Sequence, residues 1–395
     1  MTPRTTRLLA IAAAVIAALT LAIPLYVIRP FRPQGPHEFP VALAVRNTAP
    51  LVSGLCALIA IVLLLRYWRQ ARITLLLCSI VALSAACLTH VNIFEIMFKP
   101  YGGTAQFLSA SDANLDPTDK VLSLTLAGQN HAFPIRTMGY HHIVNDTLAG
   151  TPIAATYCTL CHTGIVYDRR LDGRTLYFTL AGINNGNALL RDRETGSIWQ
   201  QSTGEAIFGP LKGRHLTLIP SDELTFALWR EEQPQGKILA PNPTYAAQYD
   251  PADWESHIAK THVVVDVSGT GIDPHTIMLG IVHGSDAKAY PLPAILAAHL
   301  VQDHLPNYPI LIVVGPDNAS VRVFSPQLPG DDATLSFVPG HEGTMLDHRT
   351  NSTWNFTGCA IAGPLTGKCL TPIEAHKDYW FDWLNHNPFT RVAHI

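Results

Sequence analysis

Thr203-Gly204-Glu205-Ala206-Ile207-Phe208-Gly209-Pro210-Leu211 returns later in the chain as Thr357-Gly358-Cys359-Ala360-Ile361-Ala362-Gly363-Pro364-Leu365. Outward from that stretch, Asp192-Arg193-Glu194-Thr195-Gly196-Ser197-Ile198-Trp199 returns as Asp347-His348-Arg349-Thr350-Asn351-Ser352-Thr353-Trp354. Further upstream, His142-Ile143-Val144-Asn145-Asp146 returns as His299-Leu300-Val301-Gln302-Asp303, and Ala132-Phe133-Pro134 as Ala289-Tyr290-Pro291. Asp116-Pro117 returns as Asp273-Pro274. Matches that keep one order over this length imply an internal duplication. Two tandem homologous domains are expected, at 101–233 and 262–395, each of ordinary domain size. The Pro-, Asn- and Tyr-containing stretch 234–261 reads as the linker between them.

Within each copy the pattern is β-rich. Runs at 121–126, 151–157, 164–168, 175–180, 310–314 and 320–324 are short, rich in β-branched or aromatic residues, and bounded by Gly, Pro, Asp or Asn. Residues 136–144 and 293–300 predict one short helix per copy. The fold class of the soluble region is therefore a mainly antiparallel, β-rich α+β domain used twice.

Residues 1–100 differ in kind. Charged residues make up only 14% of the chain, and this segment is almost wholly apolar, as expected of an α-helical transmembrane anchor. Three spans are expected, at 8–28, 50–65 and 73–88. Arg4, Arg7, Arg66, Arg69 and Arg72 would lie on one side, against Arg29, Arg32 and Arg46 on the other, which places the amino terminus in the cytoplasm and the soluble region outside it. The expected partners are the lipid bilayer and a periplasmic protein. A formal charge of -3 gives no reason to expect nucleic acid.

Of seven cysteines, Cys56, Cys78 and Cys87 fall in the apolar segment and read as small packing residues. The others form two close pairs, one per copy. Residues shared by both copies most simply serve the shared fold, so residues present in one copy only are the candidates for chemistry. His141 stands opposite Ala298, Glu205 opposite Cys359, and His215 opposite Cys369; Cys158 and Cys161 stand opposite Gly315 and Asn318. The joint replacement of Glu205 and His215 by two thiols in an oxidising compartment suggests a disulfide between Cys359 and Cys369.

Cys158-Thr159-Leu160-Cys161-His162 lies between two strand-like runs, which gives a strand, a tight turn and a strand. Two sulfurs on one turn form half of a soft-metal site, and His141 and Glu205 are the candidates for the other half, binding copper or zinc. The same residues permit a redox-active dithiol, with His141 or Glu205 as catalytic base. A plain structural disulfide, in a domain that serves as scaffold for a protein partner, is a third reading. Haem c attachment is a fourth, because Cys-x-x-Cys-His is its pattern, although strand-like flanks are unusual for it.

Tyr140-His141-His142-Ile143-Val144-Asn145-Asp146, Tyr157-Cys158-Thr159-Leu160-Cys161, Asp192 through Gln201, and Gly204-Glu205-Ala206 together resemble a bacterial family, domain of unknown function 3179 (DUF3179). The resemblance runs over about 132–229, with the second copy a degenerate version. It implies that His141, Cys158, Cys161 and Glu205 are hallmark positions; the three-span anchor is an addition to the family pattern, and it is the spans and the arginine count that lead to the expectation of a bacterial inner-membrane protein facing the periplasm or exterior. It brings no activity with it. The family usually has Pro where Thr159 stands and Gly or Asn where His162 stands, which counts against a site that depends on that histidine.

Overall fold

A computed structural model describes residues 1–101, 105–331 and 333–395. The chain opens with two long apolar helices, Pro3–Val27 and Glu38–Leu88, both long and apolar enough to cross a membrane. Thr2 caps the first through its hydroxyl, which accepts from Thr5 N, and Pro3 occupies the first turn, where its missing N–H costs nothing. The second helix is broken at Tyr67 and Ala71, whose dihedrals are non-helical, and its two parts lie side by side. Ser53 Oγ meets Thr89 Oγ at 3.2 Å, and Ala57 and Ala60 share a cluster with Ala82, Ala85 and the first helix's Ala13 and Ala17. Small residues on these faces let the backbones approach closely. Leu8, Leu51, Leu65 and Leu77 point outward and are exposed. Cys56 and Cys78 are buried as expected of packing residues, while Cys87 is exposed.

The helices dock on the rest of the protein through polar as well as apolar contacts. Gln34 and Asn185 exchange three hydrogen bonds of 2.8 to 3.2 Å. Asn92 Nδ2 donates to Leu180 O at 2.7 Å, and Arg46 donates to Ala181 O. Val27, Ile28, Phe39 and Leu43 pack with Ala181, Leu189 and Ile198.

Beyond the helices the protein is a set of small sheets, and the same three strand orders occur twice. One order runs Asp222–Thr225, Lys120–Leu126, Gln129–Pro134, Lys237–Leu239, and recurs as His376–Tyr379, Ile277–His283, Asp286–Pro291, Arg391–Val392. The last pairing is parallel in both, and Phe107–Ser109 is added as a fifth, edge strand beside Lys237–Leu239 in the first half. A second runs Thr217–Ile219, Thr163–Asp168, Thr151–Cys158, Ile143–Leu148, and recurs as Thr371–Pro372, Val321–Ser325, Tyr308–Val314, Leu300–Leu305. The third runs Ala206–Phe208, Ile198–Gln200, Asn187–Asp192, Phe178–Asn184, and recurs as Ala360–Ala362, Thr353–Trp354, Met345–Asp347, Phe337–Pro339. Helices Ile135–His141 and Leu292–Ala298 follow the first hairpin of each half, as their sequences suggest.

Matched residues do matched jobs. His142 and His299 each end their helix at φ 60°, and the carbonyl of each accepts from the strand two steps on, from Tyr157 and Val314. Buried Asp192 accepts from Trp199 Nε1 at 2.8 Å, as Asp347 does from Trp354 Nε1 at 2.9 Å. Gly209 (φ +99°) and Gly363 (φ +92°) lie so near the preceding turn that a Cβ would come within 2.7 Å of Ser197 Cα and Ser352 Cα.

The halves are interlocked. Val121, Phe226 and Trp229 share one core cluster with Leu311, Phe324 and Trp354. Arg322 of the second half holds Glu232 through two hydrogen bonds of 2.8 and 2.7 Å and Asp222 through a third. The stretch 234–261 is built into this body: Lys237–Leu239 is a sheet strand, Pro243–Gln248 a 3-10 turn and Trp254–Ile258 a short helix with Trp254 buried.

Candidate functional site

The strand Thr151–Cys158 turns back into Thr163–Asp168, with Cys158 paired to Thr163 in register. The turn is tight enough that His162 takes φ 61°, uncommon for a residue with a side chain. It brings Cys158 and Cys161 to a Cα separation of 5.5 Å, and their sulfurs are joined in a disulfide. Both are buried, at 2% and 0% exposure. Gly186 O stands 3.7 Å from Cys158 Sγ and 3.3 Å from Cys161 Sγ, so an acceptor is in place for a thiol at either position.

Asn187 is the hub of the surroundings. Its Nδ2 lies 3.2 Å from Cys161 Sγ, 3.2 Å from Gln201 Oε1 and 2.9 Å from Asp382 Oδ2. Two amide hydrogens face three acceptors, so they serve two of them at a time. Asn187 Oδ1 accepts from Gln200 Nε2 at 2.5 Å and Ser202 N at 3.2 Å, which fixes the amide's orientation. Gln201 Nε2 in turn donates to Thr156 Oγ1 and Thr163 O.

The second half completes this network. Tyr379 N donates to Cys161 O at 2.7 Å. Thr163 Oγ1 donates to Asp378 Oδ1 at 2.7 Å. Asp378 and Asp382 are 1% and 0% exposed. Burial, and then the neighbouring Asp382 carboxylate, push Asp378 well above the ordinary carboxyl range. His386 Nε2 stands 3.4 Å from Asp382 Oδ1, and burial pushes nearby His376 down to about 4.

On the other side, His162 is fully buried, with Nε2 2.7 Å from Glu255 Oε1 and its ring stacked on Trp254 at 5.5 Å. Glu255 also takes Lys120 Nζ at 2.5 Å. Burial alone would raise Glu255, but the His162 hydrogen bond and the Lys120 charge outweigh it and hold the carboxyl at about 2. His162 Nδ1 has no partner.

Of the four residues singled out by sequence, the structure joins the two cysteines, while His141 and Glu205 have other neighbours. His141 has Lys99 O at 2.6 Å from Nδ1 and Tyr249 Oη at 3.1 Å from Nε2, inside the rings of Tyr101, Tyr140, Tyr245 and Tyr249. Burial lowers its pKa, against a smaller opposing effect of the hydrogen bond to Lys99 O. Glu205 forms a β-bridge with His215, and Cys359 and Cys369, joined by a disulfide, form the same bridge in the second half. The Glu205 side chain lines a 470 Å³ cleft between the Gln34–Leu43 segment and Asn184, Gln200 and His386. Among the described residues, no three His, Cys, Asp or Glu side chains gather to hold a metal ion.

Asn187, Asp378 and Asp382 were not singled out by the sequence reading, yet a signal for the acids was present. In the pairing of the halves that matches Trp229 with Trp383 and Pro234 with Pro388, Asp378 and Asp382 stand where the first half has Leu224 and Leu228.

A pair of long apolar helices carrying a β-rich body with one cysteine pair inside a buried polar network defines the class. The chain belongs to the family described as protein of unknown function (DUF3179), whose profile matches residues 102–390. The match runs through both halves, well beyond the 132–229 stretch that carries the resemblance in sequence. No curated protein and no solved structure matches the chain.

Proposed function

We propose that this protein is a membrane-anchored, extracytoplasmic thiol–disulfide redox protein, with Cys158 and Cys161 as the exchanging pair. The observation that carries this reading is the Cys158–Cys161 disulfide itself, set on a turn where Gly186 O and Asn187 Nδ2 suit thiol and thiolate respectively. In the reaction, a thiolate of a partner dithiol attacks one sulfur, the Cys158–Cys161 bond breaks, and its electron pair leaves on the other sulfur. The partner's second thiol then resolves the mixed disulfide, so the partner is oxidised and the pair reduced by two electrons. The sulfurs are buried, so the reaction requires the residues around them to move aside; next to the turn, Leu160 and Gly186 line a small pocket with Phe31 and Phe381.

The break at Tyr67 and Ala71 supports a reading with three membrane crossings, and the arginine count supports one in which the cysteines face the oxidising side. The repeated strand orders support a duplication whose second copy lost the cysteine pair and kept the scaffold. In this reading His141 anchors the aromatic cluster beside the membrane helices, and Glu205 faces the cleft instead of the sulfurs.

The test is reduction of the full chain in detergent micelles, with thiol labelling and metal analysis. Reversible reduction of Cys158–Cys161 in folded protein supports the reading. Stoichiometric copper or zinc held by free Cys158 and Cys161 would replace it with the metal-binding one, and a Soret band with the haem one.

A further inference from the structure

The two halves contribute unequally to the cysteine site. The first supplies the sulfurs, and the second supplies two buried carboxyls that replace leucines of its counterpart. We propose that Asp378 and Asp382 are positioning residues for the Cys158–Cys161 pair, holding one proton between them and setting, through Asn187, the charge that Cys161 meets when its disulfide opens. This rests on the redox reading above.

The geometry supplies the coupling. Asn187 Nδ2 is shared by Cys161 Sγ, Gln201 Oε1 and Asp382 Oδ2. While the sulfurs are bonded, Cys161 needs no donor, and the two amide hydrogens go to Gln201 and Asp382. A thiolate on Cys161 is a stronger acceptor and draws one of them away. Asp382 then loses a hydrogen-bond donor, in a position with no exposed surface and with His386 Nε2, 3.4 Å from Oδ1, beside it. The remedy is a second proton for the carboxyl pair, or a proton for the sulfur. Either way, reduction is tied to proton uptake at this spot.

Other ionisable groups facing the pair are few. His376 precedes Asp378 by two residues and is buried. His386 stands one helical turn from Asp382 and lines the cleft that also holds Glu205. Among the described residues, His386 both touches Asp382 and lines open space, and it is the route by which protons reach the pair. Thr163, which donates to Asp378 Oδ1 and lies 3.3 Å from Cys161 O, adds a second link between the acids and the turn. A leucine pair, as in the first half, would fill the same volume without needing partners. Two carboxyls buried this deeply, with few partners each, are costly to stability, which marks them as functional and not structural choices.

The experiment measures the rate at which iodoacetamide alkylates Cys158 and Cys161 against pH, in full-length protein reduced by dithiothreitol and freed of it. Wild type is compared with Asp382→Asn and Asp378→Asn. Removing a negative charge beside a thiolate favours the thiolate, so in Asp382→Asn the profile is expected to move to lower pH, with about tenfold faster alkylation at pH 7. A merely structural role would leave the profile unmoved. Superimposable profiles, with the pair still reversibly reduced, would overturn this proposal and leave the redox reading standing. A pair that resists reduction in folded wild type would overturn both. Should the variants fail to fold, infrared difference spectra of wild type on reduction decide: a change in a buried protonated-carboxyl band supports the proposal, and an unchanged band overturns it.

Discussion

The two disulfides of this protein sit on the two halves that share strand orders, and they differ in almost every physical respect. Cys359–Cys369 bridges neighbouring strands across ten residues, with Cys369 exposed, in the place where the first half has Glu205 and His215. Cys158–Cys161 closes a turn of three, is fully enclosed, and touches a network of Asn187, Gln201, Asp378 and Asp382. Loop closure stabilises more for the longer loop, by about 3 kcal/mol against about 2 in the chain-entropy account. The bridge that contributes more to stability is therefore the one that reaches the surface, and the one surrounded by buried polar side chains does less for the fold. That division separates a staple from a site.

The sharpest way to break the comparison is to remove each pair in turn. Cys158→Ser with Cys161→Ser is expected to abolish reversible two-electron reduction of the folded protein, read by thiol labelling and mass spectrometry. Cys359→Ser with Cys369→Ser should leave that reduction in place and lower stability by about 2–3 kcal/mol in denaturant titrations followed by tryptophan fluorescence. Reduction lost with the second pair instead would invert the assignment.

Next in size is the buried carboxylate that each half sets against its tryptophan. Asp192→Asn and Asp347→Asn should each cost about 1.5–3 kcal/mol, because a charge-assisted acceptor of several hydrogen bonds is weakened. For Asp347, burial alone would raise the carboxyl, but Trp354, Thr350 and Ser352 outweigh it and lower the pKa. Its stabilisation is present above the ordinary aspartate pKa and lost as pH falls toward the lower folded value. The gap between wild type and Asp347→Asn should accordingly narrow on acidification through that window.

Gly209→Ala and Gly363→Ala test whether the halves are alike where they should be. Each forces a Cβ against a backbone atom at a positive φ, and each should cost about 1–3 kcal/mol. Costs differing by more than the size of the effect would argue against equivalent turns. The smallest expected effect is Glu255→Gln, which weakens the contacts to His162 and Lys120. Its destabilisation should be visible at neutral pH and vanish as pH falls from the ordinary glutamate pKa to about 2, the folded value.

Much of the architecture was legible from the letters. The strand, turn and strand around Cys158 and Cys161 follow from β-branched runs flanking a Thr-Leu pair. The helices at Ile135–His141 and Leu292–Ala298 stand within a residue or a few of their expected positions. The position of the helix break was legible too, because Arg66, Arg69 and Arg72 interrupt an otherwise apolar run that then contains Tyr67 and Ala71. The site was legible only in part. Cys158 and Cys161 declared themselves by spacing, but grouping them with His141 and Glu205 assumed that residues peculiar to one copy share one place. His141 is instead held by tyrosines and Lys99 O, and Glu205 by its strand position beside the cleft. Asp378 and Asp382 approach Cys161 only because the halves interlock, a long-range fact that no local pattern carries. The stretch 234–261 has the composition of a linker, yet the burial of Trp254 against His162 makes it part of the body.

The most direct test is a redox titration of the full-length protein in micelles, with each cysteine's state read by differential alkylation and its metal content measured alongside. Cys158 and Cys161 should be reduced and reoxidised together as one two-electron couple in folded, metal-free protein, while Cys359 and Cys369 stay bonded. A pair that opens only on unfolding, or that holds copper or zinc in place of a disulfide, would contradict the account.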